Sequence, residues 1–509
     1  MLKESVIWIT FAAYLIFLIG IAVFGHLRER NRSARSFLTA GGSITWPMLV
    51  MTYLASLMST WVFFAGPGGY YRGGLGYWVS EMSYIILFPV VAHFTMNKVW
   101  LLNHKRGYTT PADFYDDRFH SPVLRVILAL IFLASSFPYV SSVLISIGQA
   151  AQVATGGAAD YRAVIVIVGI AITVYVCLGG MKSVAATDTI QGLLFISLLW
   201  IIAAACLIAG FDGSITNALS AIWENSQDWL SYPGPDGWVP YGSRLGYPLS
   251  CAIGWTIMLP HVFVRSGYSG KDMHTQRKLM ILTPVLQAVV WTGTMLIGLV
   301  GIALLPGLSS SDTELIIPYL IQNVIQGINP VAAMALMLAF FIGATAVGIT
   351  TADSFLLVSS SIVYEDILHH TFGIELDEKK RMIVIRATIL IIGGIGILLA
   401  VNPPQLIFTL IMFAIAIVMP LFPILVCAIY WKRATKEAAI VSAIVGTVLV
   451  LMTYFVWNIG GTWYGAIGML GSTVTMVFVS LLTQPCPQDS TEFYGALEGA
   501  MEEFYEIQA

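Results

Sequence analysis

Thr52-Tyr-Leu-Ala-Ser-Leu-Met-Ser-Thr-Trp61, running into Gly66-Pro-Gly-Gly69, is an apolar stretch with hydroxyls and small residues at its centre. It falls inside an apolar run at residues 45–66, long enough to cross a bilayer, which takes about 20 residues. Ser56, Ser59 and Thr60 then sit near mid-depth. Such a segment can unwind and turn its carbonyls toward a cavity, the one place in a membrane where irregular backbone is tolerated. The competing reading is ordinary helix packing through small residues, with each hydroxyl bonded to its own helix. A second interrupted segment, Gly254-Trp-Thr-Ile-Met-Leu-Pro-His261, lies five apolar runs later. Pro260 removes a backbone donor there and breaks or kinks a helix; a purely structural kink is its alternative. His261 reads as a packed histidine near the membrane edge. Paired discontinuous helices at corresponding positions point to an inverted-repeat transporter with a site near the midplane.

Working outward, thirteen apolar runs are candidate spans: 5–26, 45–66, 78–96, 124–149, 162–178, 189–210, 247–265, 279–305, 331–362, 384–401, 404–430, 438–457 and 462–483. The composition agrees: 57% of the 509 residues are hydrophobic, 10% are charged, and mean hydropathy is +0.81. Soluble domains carry about 25% charged residues, so this chain cannot cover a water-facing surface. A net charge of −3 gives no reason to expect nucleic-acid binding. Four of the five cysteines lie in apolar runs and only Cys486 sits in a polar segment, so disulfides and structural zinc are not expected. The first run is too long for a signal-peptide core and reads as a retained helix. The organisation expected is a first helix and basic loop (1–44), a first repeat with an outer loop (45–246), a second repeat (247–431), two further helices (432–483) and an acidic cytoplasmic tail (484–509).

Thirteen spans place alternate connections on opposite sides of the membrane. One side then holds 21 of the 25 Lys and Arg residues, and the other only Lys3, Arg72, Arg162 and Arg244. By the positive-inside rule the N-terminus is outside and the C-terminus cytoplasmic. With Arg265 placed at the cytoplasmic end of its span, no Lys or Arg falls mid-membrane. An anionic solute would then rely on helix N-termini, hydroxyls or a co-bound cation.

Two more polar clusters fall inside spans. In Ala346-Val-Gly-Ile-Thr-Thr-Ala-Asp-Ser-Phe355, Thr350, Asp353 and Ser354 share a helix face, with Thr351 on the adjoining one. Hydroxyl and carboxylate oxygens at this density suit a hard cation such as sodium. A mid-membrane carboxylate costs on the order of 3 kcal/mol, which marks Asp353 as functional by default; a protonated, hydrogen-bonded Asp353 is the alternative. In Gly179-Gly-Met-Lys-Ser-Val-Ala-Ala-Thr-Asp-Thr-Ile-Gln191, Asp188 opens the sixth run and could simply cap a helix.

These residues resemble the sodium:solute symporter family over roughly residues 5–483. The likeness rests on Gly179–Gly192, on Ala55-Ser-Leu-Met-Ser59 with Gly66-Pro-Gly-Gly-Tyr70, and on Leu259-Pro-His-Val-Phe-Val-Arg265. Pro403-Pro-Gln405 and Tyr430-Trp-Lys-Arg433 also fit. Leu259–Arg265 with Tyr268-Ser-Gly-Lys-Asp272 is similar to the pantothenate and monocarboxylate branch. The resemblance implies an all-α membrane protein with a LeuT-like five-plus-five inverted repeat. It implies a main sodium site from the carbonyls of Ala55, Met58 and Val347 and the hydroxyls of Thr350 and Thr351. A second sodium or proton site would use Asp188, Thr350, Asp353 and Ser354. Leu57, Ala252 and Thr256 depart from the proline-transporting members, which argues against proline.

The expected function is sodium-coupled uptake of a small organic solute, a pantothenate- or monocarboxylate-like acid, through a pocket of Ser56, Ser59, Thr60, Glu81, Trp255 and Thr256. Sodium is the coupling ion, with no organic cofactor, no nucleic-acid partner and a monomer in the lipid bilayer of the plasma (inner) membrane. The alternatives are proton or sodium/proton coupling, a solute sensor of the same fold, and a membrane-embedded enzyme. No hydrolase or metalloenzyme motif supports the last.

Overall fold

The computed structural model describes residues 3–28, 33–235, 243–402, 407–459, 462–485 and 487–506. Arg30, Arg32, Pro403-Pro-Gln405 and Cys486 lie outside the described residues. Every long apolar run is helical, as it must be where no water can satisfy backbone amides and carbonyls. Among the described residues, eleven helices are long and apolar enough to cross a membrane, or twelve counting one bent pair.

The helices that position the site are α1 (Glu4–Arg28), α2 (Trp46–Met58), α3 (Ala65–Phe94), α4 (Met96–Arg106), α5 (Pro111–Phe119), α6 (Pro122–Ala154), α7 (Tyr161–Gly179) and α8 (Met181–Phe211). There follow the bent pair α9 (Gly246–Met258) and α10 (Pro260–Ser269), α11 (Met273–Leu304), α12 (Pro330–Ser361), α13 (Glu378–Val401) and α14 (Ile407–Tyr430). The last are α15 (Lys436–Val456), α16 (Trp463–Leu482) and α17 (Pro487–Glu506). Local signals set several starts. Asp160, Asp272 and Asn329 cap α7, α11 and α12 through their side chains, and Thr110 with Asp113 forms a capping box on α5.

Burial separates centre from rim. In the most apolar window of α12, 67% of residues are buried, and in α14 78%, against 17% in α1 and 33% in α13, α15 and α16. The rim helices therefore turn most of their apolar surface to lipid. Helix α12 packs on α6, α8 and α2, and α2 on α8 and α11.

Three breaks matter. Ser59 takes a left-handed conformation (φ 55°), ending α2 in a tight turn over Thr60–Phe63. Gly74 (φ 55°, ψ −142°) interrupts α3. Tyr53 of α2 stacks on Phe88 of α3 with ring centres 5.7 Å apart. A side chain at Gly74 would collide with the Trp229 carbonyl of the 211–247 connection, which carries its own helix at Ile215–Asn225. The third break is Leu259 (ψ 133°) ahead of Pro260, where α9 and α10 meet at 56°. The far ends of the two broken segments are stitched together, with Ile44 N–H on the Ser269 carbonyl (3.0 Å) and Lys271 N–H on the Ile44 carbonyl (3.0 Å).

The connections sort by end. Ala34 N–H meets Glu378, Arg118 the Ala434 carbonyl, and Arg106 both Asp117 and Glu492. At the opposite end Arg72 meets Thr313 and Arg162 meets Asn402. The tail forms α17, which lies across the first of these ends.

Candidate ion and solute site

The Ser59 break sits against α12. The last turn of a helix that stops at Met58 holds its carbonyls loosely: Ser59 N–H reaches the Ala55 carbonyl only at 3.5 Å, and α12 supplies hydroxyls to that end. Thr350 Oγ1 donates to the Ala55 carbonyl (3.0 Å) and lies 2.8 Å from that of Val347; Thr351 Oγ1 is 3.1 Å from the Ser56 carbonyl and 3.2 Å from Val347's. Five oxygens from chain segments nearly 300 residues apart thus converge, all on fully buried residues. Met58 is the last residue of α2, next to this cluster in sequence; among the described residues no hydrogen bond joins its carbonyl to α12. The Ser56 carbonyl joins the oxygens, which the sequence did not single out.

Beside them lies a charged cluster. Asp188 Oδ2 accepts from Thr52 Oγ1 and stands 3.4 Å from Arg265 Nη2. Arg265 also donates to Thr52 Oγ1 (3.0 Å) and to Ser354 Oγ (2.6 Å). Ser354 Oγ is 3.1 Å from Asp353 Oδ1. All five residues are buried, and Asp188 Oδ1 and Asp353 Oδ2 have no hydrogen-bonding partner among the described residues. Two expectations change here. Arg265, in α10, is fully buried against Asp188 and Ser354, so the protein interior does hold a cation. Asp188 caps nothing, because α8 begins at Met181 and puts Asp188 two turns inside it.

The second break is lined by aromatic rings. Trp255 lies 5.8 Å from Trp61, 5.8 Å from Tyr84 and 5.9 Å from Trp291, centre to centre, and donates from Nε1 to Tyr139 Oη (3.1 Å). His261 is packed as expected, 4.0 Å from the Phe355 ring, but fully buried rather than at an edge. Of the candidate solute residues, Ser56 and Thr256 spend their hydroxyls on their own helices, on the Thr52 and Ala252 carbonyls. Thr60 Oγ1 and Trp61 Nε1 are buried without partners. Glu81 stands to one side: Oε1 accepts from Tyr247 Oη (2.6 Å), which is 2.9 Å from Tyr77 Oη, while Oε2 has no partner. Tyr84, one turn on from Glu81, is its link to the Trp255 rings. Tyr139, Tyr247 and Trp291 were missed; Pro138, just before Tyr139 inside α6, was the one local signal.

The sodium:solute symporter family profile matches residues 37–446. The chain belongs to the sodium:solute symporter family. As a family member it is a multi-pass membrane transporter and not an enzyme. It is 27% identical over 437 residues to a sodium/pantothenate symporter of Haemophilus influenzae, covering 85% of this chain and 87% of the relative. It is 25% identical over 502 residues to an osmoregulated proline transporter of Bacillus subtilis, covering 95% and 96%. Its fold matches the solved outward-open structure of a Na+-coupled sialic acid symporter with a TM-score of 0.79 at 20% identity, over 94% of this chain and 98% of that one. The expected all-α symporter fold is therefore the fold this family member has.

Proposed function

We propose that this symporter couples sodium entry to uptake of a small organic acid, related in chemistry to pantothenate and the monocarboxylates. The observation that carries the sodium half is the meeting of the Ala55, Ser56 and Val347 carbonyls with the Thr350 and Thr351 hydroxyls. Carbonyls of an unwound helix coordinating an alkali ion are the expected device at a transporter midplane; Met58 completes the set. Sodium bound there joins the two repeats and favours the outward-open form. Solute then favours occlusion, and rocking of one bundle against the other opens the site to the cytoplasm. Each charge moved inward at 100 mV supplies about 2.3 kcal/mol, and each tenfold sodium ratio about 1.4 kcal/mol.

Two carboxylates, Asp188 and Asp353, face one guanidinium. Their unpartnered oxygens call for a further cation, a second sodium or a proton, with Thr350 and Ser354 beside it. The solute pocket lies among Ser59, Thr60, Trp255 and the Trp61 ring, with Glu81 at its edge and Ser56 and Thr256 contributing backbone. Thirteen spans follow if α2 and residues 60–73 form one broken span and 75–94 the next. The Lys/Arg-rich end is then cytoplasmic, and the chain acts as a monomer.

Counterflow in proteoliposomes tests this reading. Labelled pantothenate and short monocarboxylates should exchange in sodium and not in choline. Exchange indifferent to that replacement removes the coupling, and exchange of sugars but of no acid removes the solute class.

A further inference from the structure

Where α3 and α11 reach the Lys/Arg-rich end, a cleft of about 670 Å³ opens between them, Tyr430 and the last turns of α17. One wall is apolar and faces outward from the bundle: Phe94 is 56% exposed and Ile281 63%. The rim is cationic, with Lys98 and Arg277 on facing elements and His93 beside them. Lys98 Nζ sits 3.9 Å from the centre of the Tyr430 ring. Among the described residues no carboxylate lies within ion-pair distance of it. By contrast, α17 supplies carboxylates to two other lysines at this end: Glu503 to Lys105 (3.2 Å) and Glu498 to Lys432 (3.5 Å). At the cleft, α17 places the Phe504 ring 5.7 Å from the Arg277 guanidinium. Asn97, between the two walls, donates to or accepts from His93 Nδ1 (3.2 Å), and its Oδ1 is buried without a partner.

We propose that this cleft binds an anionic phospholipid, its phosphate between Lys98 and Arg277 and an acyl chain along Phe94 and Ile281. Basic pockets where membrane helices end take anionic headgroups, and aromatic rings such as Tyr430 suit that depth. A soluble anion would meet the charged rim and leave the apolar wall wet. A zwitterionic lipid would bring its own cation against them. The bound lipid joins α3, α4 and α11 to α17, so the tail helix is held in part by lipid. None of this depends on the sodium or solute reading; it needs only helices that cross a bilayer.

The test is thermal melting of the purified full chain in neutral detergent with added phosphatidylglycerol, phosphatidylcholine or glycerol 3-phosphate. Phosphatidylglycerol should raise the melting temperature by mass action, more at low salt than at high, and the other two should not match it. Lys98→Gln with Arg277→Gln should weaken the apparent lipid affinity about 30-fold. Arg277→Gln alone, at an exposed position that folding tolerates, should weaken it about fivefold. Ile281→Trp, which narrows the apolar wall and leaves the charges alone, should weaken it too. Equal stabilisation by phosphatidylcholine, equal stabilisation by glycerol 3-phosphate, or an Arg277→Gln protein that keeps the full phosphatidylglycerol effect would each overturn the proposal.

Discussion

The two helix breaks look alike in sequence and differ in chemistry. At Ser59 the backbone turns through a left-handed conformation that a serine seldom adopts, and the carbonyls of Ala55 and Ser56 lie against hydroxyls from α12. At Leu259 the backbone merely extends ahead of Pro260; Leu259 N–H reaches the Gly254 carbonyl at 2.9 Å, against 3.5 Å for Ser59 N–H on the Ala55 carbonyl at the first break, and Tyr53 donates to the Thr256 carbonyl. One break therefore hands carbonyl oxygens to a distant helix. The other has its polar groups capped by phenols and is walled by indoles. An interrupted helix marks a site, and what faces the interruption decides whether the site suits an ion or an organic solute.

Substitutions at each break sharpen that distinction. Thr351→Ala removes a hydroxyl from the first and should raise the sodium half-saturation roughly 10- to 100-fold, with Thr351→Ser near wild type; sodium titration of uptake reads both. Asp353→Asn should leave the fold intact and remove the need for a further cation beside Arg265. Its sodium response should become hyperbolic, or its uptake lose its pH dependence, as followed in proteoliposomes. Pro260→Ala restores a donor at the second break and shifts Trp255. The solute half-saturation should move by about tenfold while the sodium half-saturation holds; a matching change in both would erase the difference between the breaks.

The smallest effect concerns a second buried arginine, outside both breaks. Arg125 meets Asp113 (2.7 Å), Asp366 (2.7 Å) and Asp116 (2.8 Å) at the Lys/Arg-rich end. Burial disfavours the Asp113 carboxylate, but Arg125 and the amides of Thr109 and Thr110 outweigh it and hold this carboxyl below its ordinary range. A depressed carboxyl contributes stability that is fully present above the unfolded value of about 3.9 and is lost as pH falls through the folded one. Asp113→Asn should cost about 1–2 kcal/mol at neutral pH, because Asp116 and Asp366 still hold Arg125. The gap from wild type should close only below about pH 4 in thermal melts.

Much of this was legible in the sequence, because lipid forces apolar runs into helices and penalises every polar residue inside them. Thr350, Thr351, Asp188 and Asp353 stood out for that reason, and the breaks announced themselves by hydroxyl-rich and proline-bearing centres. What the sequence hid depends on direction in space. Arg265 follows Pro260 by five residues near the end of a linear span; that its guanidinium meets Asp188 and Ser354 depends on helices far off in sequence. Gly74 falls between the runs 45–66 and 78–96, and nothing in the sequence set it apart from the glycines around it as the residue that interrupts α3. Glu81 read as a solute contact, and Tyr247, far off in sequence, is what ties its carboxyl down. The acidic tail gave no sign that its aromatic residues Phe493 and Tyr494 would be buried.

Equilibrium binding of radioactive sodium to the purified protein tests the central claim most directly. Wild type should bind saturably, with competition by unlabelled sodium and not by choline, and Thr351→Ala should lose that binding while melting as a folded protein. Saturable binding that survives in Thr351→Ala unchanged would contradict the placement of the ion between the Ser59 break and α12.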